Sequence, residues 1–310
     1  LEMREYLRKN KFADYSDIIT SPLAPSVSIL APAFNEGQNI VQNVKSLLSL
    51  HYSKFEVIII NDGSKDDTLD KLIEFFDLEK TDFAYKPEIE TKEIRGIYRS
   101  NNISNRRLLV IDKENGGKAD ALNAGINVAG MDVLACIDVD CILSSDSISR
   151  MVRPFMEETN KTVIAVGGVI GIANNCEVKD GTVVNYRIPD SLLGKFQVIE
   201  YFRAFLMGRM AWSRVDGLML ISGAFGFFRT NLVKKVGGYF TKTVGEDMEL
   251  IVRLRRYMME QKIPHKVGFV PDPLCWTEVP ESSDILSRQR TRWMRGTMET
   301  LLLHRPIRFR

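Results

Sequence analysis

The chain has 310 residues, 45% of them hydrophobic, enough to bury a large core as one α/β domain or as two smaller ones. Its 42 basic and 40 acidic side chains nearly cancel to a formal charge of +2, which gives no electrostatic footing for nucleic acid, so no nucleic-acid partner is expected. Three histidines (His51, His265, His304) are too few for a histidine metal centre or triad, and four cysteines without zinc-ligand spacing read as free thiols, so catalysis must rest on carboxylates.

A polar, basic opening gives way at Pro22 to a regular alternation of apolar runs and amphipathic stretches. Strand is predicted at 27–31, helix at 39–50, strand at 55–60 and helix at 67–76. This βαβα opening predicts an α/β fold with a mostly parallel central sheet flanked by helices. Residues 77–107, charged and weakly periodic, read as a loop-rich crossover with one short strand. A strand at 108–111, a helix from Lys118 to about Ala129 and a strand at 133–137 follow. Beyond them come a strand near 163–171, a polar insertion at 174–190 and a long helix from Leu192 to Arg214. A glycine-rich strand at 223–229, a helix from Glu246 to about Gln261 and a helix from Ser283 to Leu303 complete the pattern.

Ligands of open parallel sheets gather at the carboxyl ends of strands, and three acidic loops fall there: Asn35-Glu36, Asn61-Asp62-Gly63-Ser64 and Asp138-Val-Asp140. Two carboxylates leaving one buried strand together can hold a divalent cation against a diphosphate, although acidic residues near helix starts also serve as caps. Asp62 and Glu36 can shape a nucleotide pocket, or form an ordinary turn and helix start. Asn115-Gly-Gly-Lys118 offers free backbone N–H groups and a cation at a helix N-terminus, a phosphate cradle without the P-loop spacing. Glu246-Asp247 opens a helix, where acidic residues also complement the dipole. Gln289, Arg292 and Trp293 fall at i, i+3 and i+4 and share one helix face. Ser222-Gly223 permits close backbone approach by a sugar. Trp276 suits a pyranose face or a core position. The helix at 192–214 reads as a core helix or as one lying on a membrane surface.

Six motifs in order connect these signals: Val27-Ser-Ile-Leu-Ala-Pro-Ala-Phe-Asn-Glu36, Ile60-Asn-Asp-Gly-Ser64, Asn115-Gly-Gly-Lys118, Asp138-Val-Asp140, Gly245-Glu-Asp247 and Gln289-Arg-Thr-Arg-Trp293. Together they resemble the processive family 2 glycosyltransferases, including synthases of poly-N-acetylglucosamine, chitin oligosaccharides, hyaluronan and cellulose. The resemblance implies a GT-A nucleotide-diphospho-sugar transferase fold. It also implies an inverting enzyme that moves sugar from a UDP-sugar, UDP-N-acetylglucosamine or a related hexose, to an oligosaccharide acceptor in a growing β-linked chain. Asp62 would bind uridine, with Ala31, Pro32 and Glu36 in the same pocket, and Lys118, Asp138, Gln289 and Arg292 would hold the diphosphate. Asp138 and Asp140 would carry Mg²⁺ or Mn²⁺, Asp247 would be the general base, and Ser222, Gly223, Glu246, Trp276 and Trp293 would meet the acceptor. Residues 1–25 then form a leading segment, 26–143 a donor-binding half and 144–310 an acceptor-binding half of one domain. Transfer of one sugar to a lipid-phosphate carrier, and a silent nucleotide-sugar sensor, are the competing readings.

No stretch reaches the roughly twenty apolar residues that span a bilayer. Leu1-Glu2 reads as an expression scar and Arg305 to Arg310 as a basic juxtamembrane sequence, so the chain is expected at the cytoplasmic face of the plasma membrane, anchored by segments outside it.

Overall fold

The computed structural model describes Ile18, residues 21–179 and residues 181–305. Most of the leading segment and the basic stretch 306–310 lie outside the described residues. The elements in chain order are β1 (Val27–Ala33), α1 (Ile40–Leu48), β2 (Phe55–Asp62), α2 (Thr68–Phe76), β3 (Leu78–Lys80), β4 (Ile94–Ser100), β5 (Leu108–Lys113), α3 (Lys118–Val128), β6 (Val133–Ile137), β7 (Ile142–Leu143) and α4 (Ser147–Met156). They continue with β8 (Thr162–Ile172), β9 (Glu177–Lys179), β10 (Thr182–Asn185), α5 (Leu192–Phe202), a π-helical segment (Arg203–Arg209), α6 (Met210–Arg214), β11 (Phe225–Arg229), α7 (Thr230–Lys235), α8 (Glu246–Glu260), β12 (His265–Thr277) and α9 (Ser283–Leu303).

Ten strands form one sheet in the order β3-β4-β5-β2-β1-β6-β11-β8-β12-β7. The centre, β5-β2-β1-β6, is parallel. β11 runs antiparallel between β6 and β8, and β12 returns parallel to β8. The apolar runs of β1, β2 and β6 contain no polar alternation because both of their faces are covered. Val27, Ile29, Val57, Ile59 and Ala135 pack into a cluster that also takes in Ile40, Val44 and Leu72 of α1 and α2. Their neighbours Leu30, Ile58, Ile60 and Leu134 point the other way, toward α3 and α8. This two-sided core fixes the strand register, and with it the end of the sheet at which β1, β2 and β6 release their loops.

The crossover at 77–107 holds more structure than its composition predicts: β3 and β4 pair with each other, and β4 pairs antiparallel with β5. The helix predicted at 192–214 runs without a gap in the chain as α5, the π-helical segment and α6. It is not a core helix. Phe196, Ile199, Phe202 and Trp212 are each about 60% exposed or more, and only Gly194, Gln197 and Phe205 of this stretch are buried. No helix among the described residues is long and apolar enough to cross a membrane.

Candidate active site

The loops after β1 and β2 are laced together by short polar contacts. Asn35, in the left-handed region at φ 57°, donates its backbone N–H to Ser64 Oγ (3.0 Å), while its side-chain oxygen accepts from the Lys65 N–H (2.8 Å). The Glu36 N–H donates to Thr68 Oγ1 at 2.9 Å. Gly63 has φ 68°, and a methyl group there would lie 2.7 Å from the Asn115 backbone nitrogen, so only glycine lets this turn meet the Asn115-Gly-Gly loop.

Asp62 sits at the carboxyl end of β2, and its carboxylate organises that meeting. Lys113 Nζ (2.8 Å) and the Gly116 N–H (3.0 Å) donate to Oδ1, and the Gly117 N–H (2.7 Å) and Asn115 Nδ2 (3.2 Å) donate to Oδ2. Lys113 is fully buried and also pairs with Asp120 at 2.6 Å. In an interior site one ammonium between two carboxylates satisfies charges that would otherwise be costly.

Pro32, Phe34, Glu36, Asp62, Lys118, Asp138 and Asp140 line a single cleft of about 260 Å³. Asp138 forms an ion pair with Lys118, whose ammonium also donates to the Gly223 carbonyl at 3.2 Å. Burial opposes the charge on Lys118, but Asp138, with Glu246 and Asp247, outweighs it, and the pKa is raised. Partial burial likewise raises the pKa of Asp140, with the Asp138 charge adding to it. Desolvation also raises that of Glu36, followed by Asp140, Asp66 and Asp138.

Beyond Lys118 the site continues to the start of α8. Asp247 Oδ2 accepts the Gly223 N–H at 3.1 Å, and its Oδ1 accepts the Met248 N–H at 2.7 Å. A side chain at Gly223 would place its Cβ 3.2 Å from Asp247 Oδ2, so this glycine brings Lys118 and Asp247 onto one short segment. Burial raises the pKa of Glu246, Asp247 adds to it, and Lys118 and Arg292 pull against it.

The structure therefore gathers Pro32, Glu36, Asp62, Lys118, Asp138 and Asp140 at one end and Gly223, Glu246 and Asp247 at the other, with Arg292 acting on Glu246. Ser222 lies beside this segment, half-buried. Gln289, Arg292 and Trp293 share a face of α9 outside the cleft lining. Trp293 is 40% exposed, with Arg290 4.3 Å from its ring. Two expectations change. Ala31 is fully buried in the sheet core and does not line the cleft, whereas its neighbour Pro32 does. Trp276 is 5% exposed, packed on Gly171 and under Tyr186 at 5.7 Å, which makes it a core residue with no face free for a sugar.

The sequence did not single out three other residues. Phe34 stands 47% exposed at the cleft wall, and its motif position was the available signal. Lys113 reads as an ordinary strand end, because its partners lie elsewhere in the chain. Arg209, from the π-helical turn, stacks on Phe205 (4.1 Å) and has a buried Nη1 with no hydrogen-bond partner among the described residues. Burial lowers its pKa to about 10, against the opposing pull of Asp247 and Tyr201.

Comparison with known proteins adds to this geometry. Residues 28–218 match the family model described as Glycosyl transferase family 2, and residues 133–310 match that of Glycosyl transferase family group 2. The chain is 31% identical over 277 residues to a poly-beta-1,6-N-acetyl-D-glucosamine synthase of Staphylococcus epidermidis, which covers 89% of this chain and 55% of that protein. A synthase of the same name from Staphylococcus aureus strain COL is 31% identical over 280 residues, with the same shares covered. The chain thus spans about half the length of these curated relatives.

Among solved structures, a mannosyltransferase, PcManGT from Pyrobaculum calidifontis, in complex with GDP-Man and Mn²⁺, superposes with a TM-score of 0.59 at 17% identity, over 97% of this chain and 71% of its own. S. aureus TarS 1-349 in complex with UDP-GlcNAc superposes with a TM-score of 0.51 at 16% identity, over 84% of this chain and 61% of its own. These likenesses establish the fold.

Proposed function

The chain belongs to glycosyl transferase family 2, and on that premise we propose that it is an inverting, metal-dependent transferase that moves a sugar from a UDP-sugar to a growing β-linked polysaccharide. One observation carries this reading: Lys118, which lines the cleft beside Asp140, pairs with Asp138 and bonds Gly223, and Gly223 holds Asp247, so a short chain of contacts links the donor-side carboxylates to the base. The choice of UDP-N-acetylglucosamine or a related hexose as donor is supported by the names of the staphylococcal relatives and by the ligand of TarS.

Asp138 and Asp140 offer hard oxygen ligands, which with Cys141 Sγ lie within 4.8 Å of one another. Carboxylate oxygens suit Mg²⁺ or Mn²⁺, and a donor diphosphate would complete the shell, so the residues fit such an ion; the soft, buried thiol adds little. The Mn²⁺ of the Pyrobaculum complex supports the same choice. When bound, the cation offsets charge gathering on the departing diphosphate.

Asp247 takes the proton of the acceptor hydroxyl as that oxygen attacks the anomeric carbon from the side opposite the diphosphate. The bond to the diphosphate breaks as the glycosidic bond forms, which inverts the anomeric centre. The Gly223 N–H fixes one oxygen of the base and leaves the carboxylate oriented. Lys118 and Arg292 supply positive charge toward the diphosphate, and the exposed face of Trp293 stacks on the acceptor sugar. Asp62 acts chiefly through the loop it braces, shaping the nucleoside end of the cleft. Residues 26–143 serve as the donor half and 144–310 as the acceptor half.

The exposed apolar side chains of α5 support placing this domain against the cytoplasmic face of the plasma membrane, within a longer protein. UDP release from UDP-N-acetylglucosamine with Mn²⁺ or Mg²⁺ tests the reaction. Chelation is expected to stop turnover, and Asp247→Asn to lower it at least ~10²-fold while UDP affinity holds. Unchanged turnover in that variant would remove the base. Product length under excess acceptor separates polymer growth from single transfer.

A further inference from the structure

Only Gly296 and Thr300 are buried among the 21 residues of α9, and His304, just past its end, extends the same stripe. The helix is held by a narrow seam near its C-terminus, and the face bearing Gln289, Arg292 and Trp293 projects beyond that seam. On the projecting half, Arg290 reaches Glu200 of α5 at 2.5 Å.

The seam meets the segment Thr243 to Gly245, which leads directly into Glu246 and Asp247. A methyl group at Gly296 would lie 2.6 Å from Gly245 Cα, and one at Gly245 would lie 2.7 Å from Gly296 Cα, so backbone packs on backbone. Glu299 closes the junction: its Oε2 accepts the Thr243 hydroxyl (2.8 Å) and the Val244 N–H (3.1 Å), and its Oε1 accepts from Arg295 Nε (2.7 Å). Thr243 Oγ1 in turn accepts the Gly245 N–H at 3.1 Å. One turn into α8, Glu249 Oε1 meets His304 Nε2 at 3.1 Å. Neither Gly296 nor Glu299 lines the cleft.

We propose that Gly296 and Glu299 are positioning residues for sugar transfer: by clamping the 243–245 segment to α9, they set the spacing between the Arg292–Trp293 face and the Glu246–Asp247 carboxylates. The inference rests on the reading of Asp247 as base and Trp293 as acceptor platform. A backbone contact transmits displacement directly because no flexible side chain lies between the two elements. Movement of about 1 Å at a reacting centre is enough to cost on the order of 10²-fold in rate.

The test measures transfer from UDP-N-acetylglucosamine with Mn²⁺ in Gly296→Ala, Glu299→Ala and Glu299→Gln, together with hydrogen exchange at the Val244 amide. In the two alanine variants kcat should fall on the order of 10- to 100-fold, while donor KM and the Kd for UDP change less than about twofold. Glu299→Gln keeps an oxygen that accepts from Thr243 and Val244, and should restore most of the rate. Full activity in Glu299→Ala, an equal loss in Glu299→Gln, or donor affinity falling in step with kcat would overturn the proposal. If Gly296→Ala does not fold, Thr243→Val breaks the same junction and is expected to give the same selective loss in kcat. Asp247→Asn separates the two levels of inference. Transfer that survives it removes the base assignment, whereas faster exchange at Val244 in Glu299→Ala reports the clamp whatever the base is, and unchanged exchange there removes the clamp.

Discussion

Lys113 carries its charge with no exposed surface, held between Asp62 and Asp120. Removing one partner of a buried ionic group leaves the others uncompensated, so Lys113→Met should cost about 3–5 kcal/mol in chemical denaturation. It should also weaken UDP binding, because the Asn115-Gly-Gly loop hangs on the Asp62 carboxylate. Glu246 behaves in the opposite sense. Burial first, and Asp247 second, raise its pKa above the ordinary 4.5, so between the two values the folded state holds a proton that the unfolded chain releases. Stability therefore falls as pH rises through that window, and Glu246→Gln should melt higher than the parent well above pH 4.5 and converge with it below. A variant that melts no higher at neutral pH would mean that Glu246 is not strained there. Asp138, Asp140, Lys118 and Asp247 were legible because their motifs state both residue type and order. Lys113 was not, since it is defined by partners distant in the chain, and neither was Arg209, whose burial and coupling to Asp247 follow from the fold. Trp276 shows the converse: a residue type suited to sugar, placed where the core takes it.

At the scale of elements, legibility followed the cleanliness of the pattern. β6 is an uninterrupted apolar run, the apolar runs of β1 and β2 are broken only by Ser28 and Glu56 before the polar end of β2, and α9 spans the predicted 283–303. β12 escaped because Pro271 and Pro273 interrupt it, and the strand absorbs them through register shifts between Val270 and Pro273 and again before Cys275. α4 carries Pro154 in its body, and α7 is only 6 residues long, too short for periodicity. The crossover strand β4 buries only Gly96 and Ile97 among half-buried and exposed positions near the sheet edge, so the charged stretch showed just one short strand. The stretch at 192–214 had a clear apolar pattern but two possible destinations, and the structure leaves that surface uncovered. Replacing Phe196, Ile199 and Phe202 together by serine should leave the melting temperature nearly unchanged, since exposed positions typically shift stability by no more than about 0.5 kcal/mol each. The same variant should lose co-sedimentation with anionic phospholipid vesicles. Equal vesicle binding by parent and variant would argue against the membrane placement.

For the molecule as a whole, the proposed donor half (26–143) and acceptor half (144–310) share one sheet. β6, the last central strand of the first half, pairs along its length with β11 of the second, from Val133 opposite Arg229 to Ile137 opposite Phe225. The larger core cluster crosses the same line, joining Val27, Ile29 and Val57 to Phe225, Phe227 and Val270. A cut after residue 143 would expose the β6 edge and one side of this cluster, so the fragment 26–143 should show no cooperative unfolding transition of its own. The intact chain should unfold as a unit. The tryptophans Trp212, Trp276 and Trp293 all lie in the second half, and the buried Trp276 gives fluorescence a reporter there, while far-UV circular dichroism reads helices on both sides. Coincident denaturation curves from the two probes are expected. A dichroism transition that separates from the fluorescence transition would show that the halves are independent folding units, and would move the dividing line at residue 143 from chemistry to architecture.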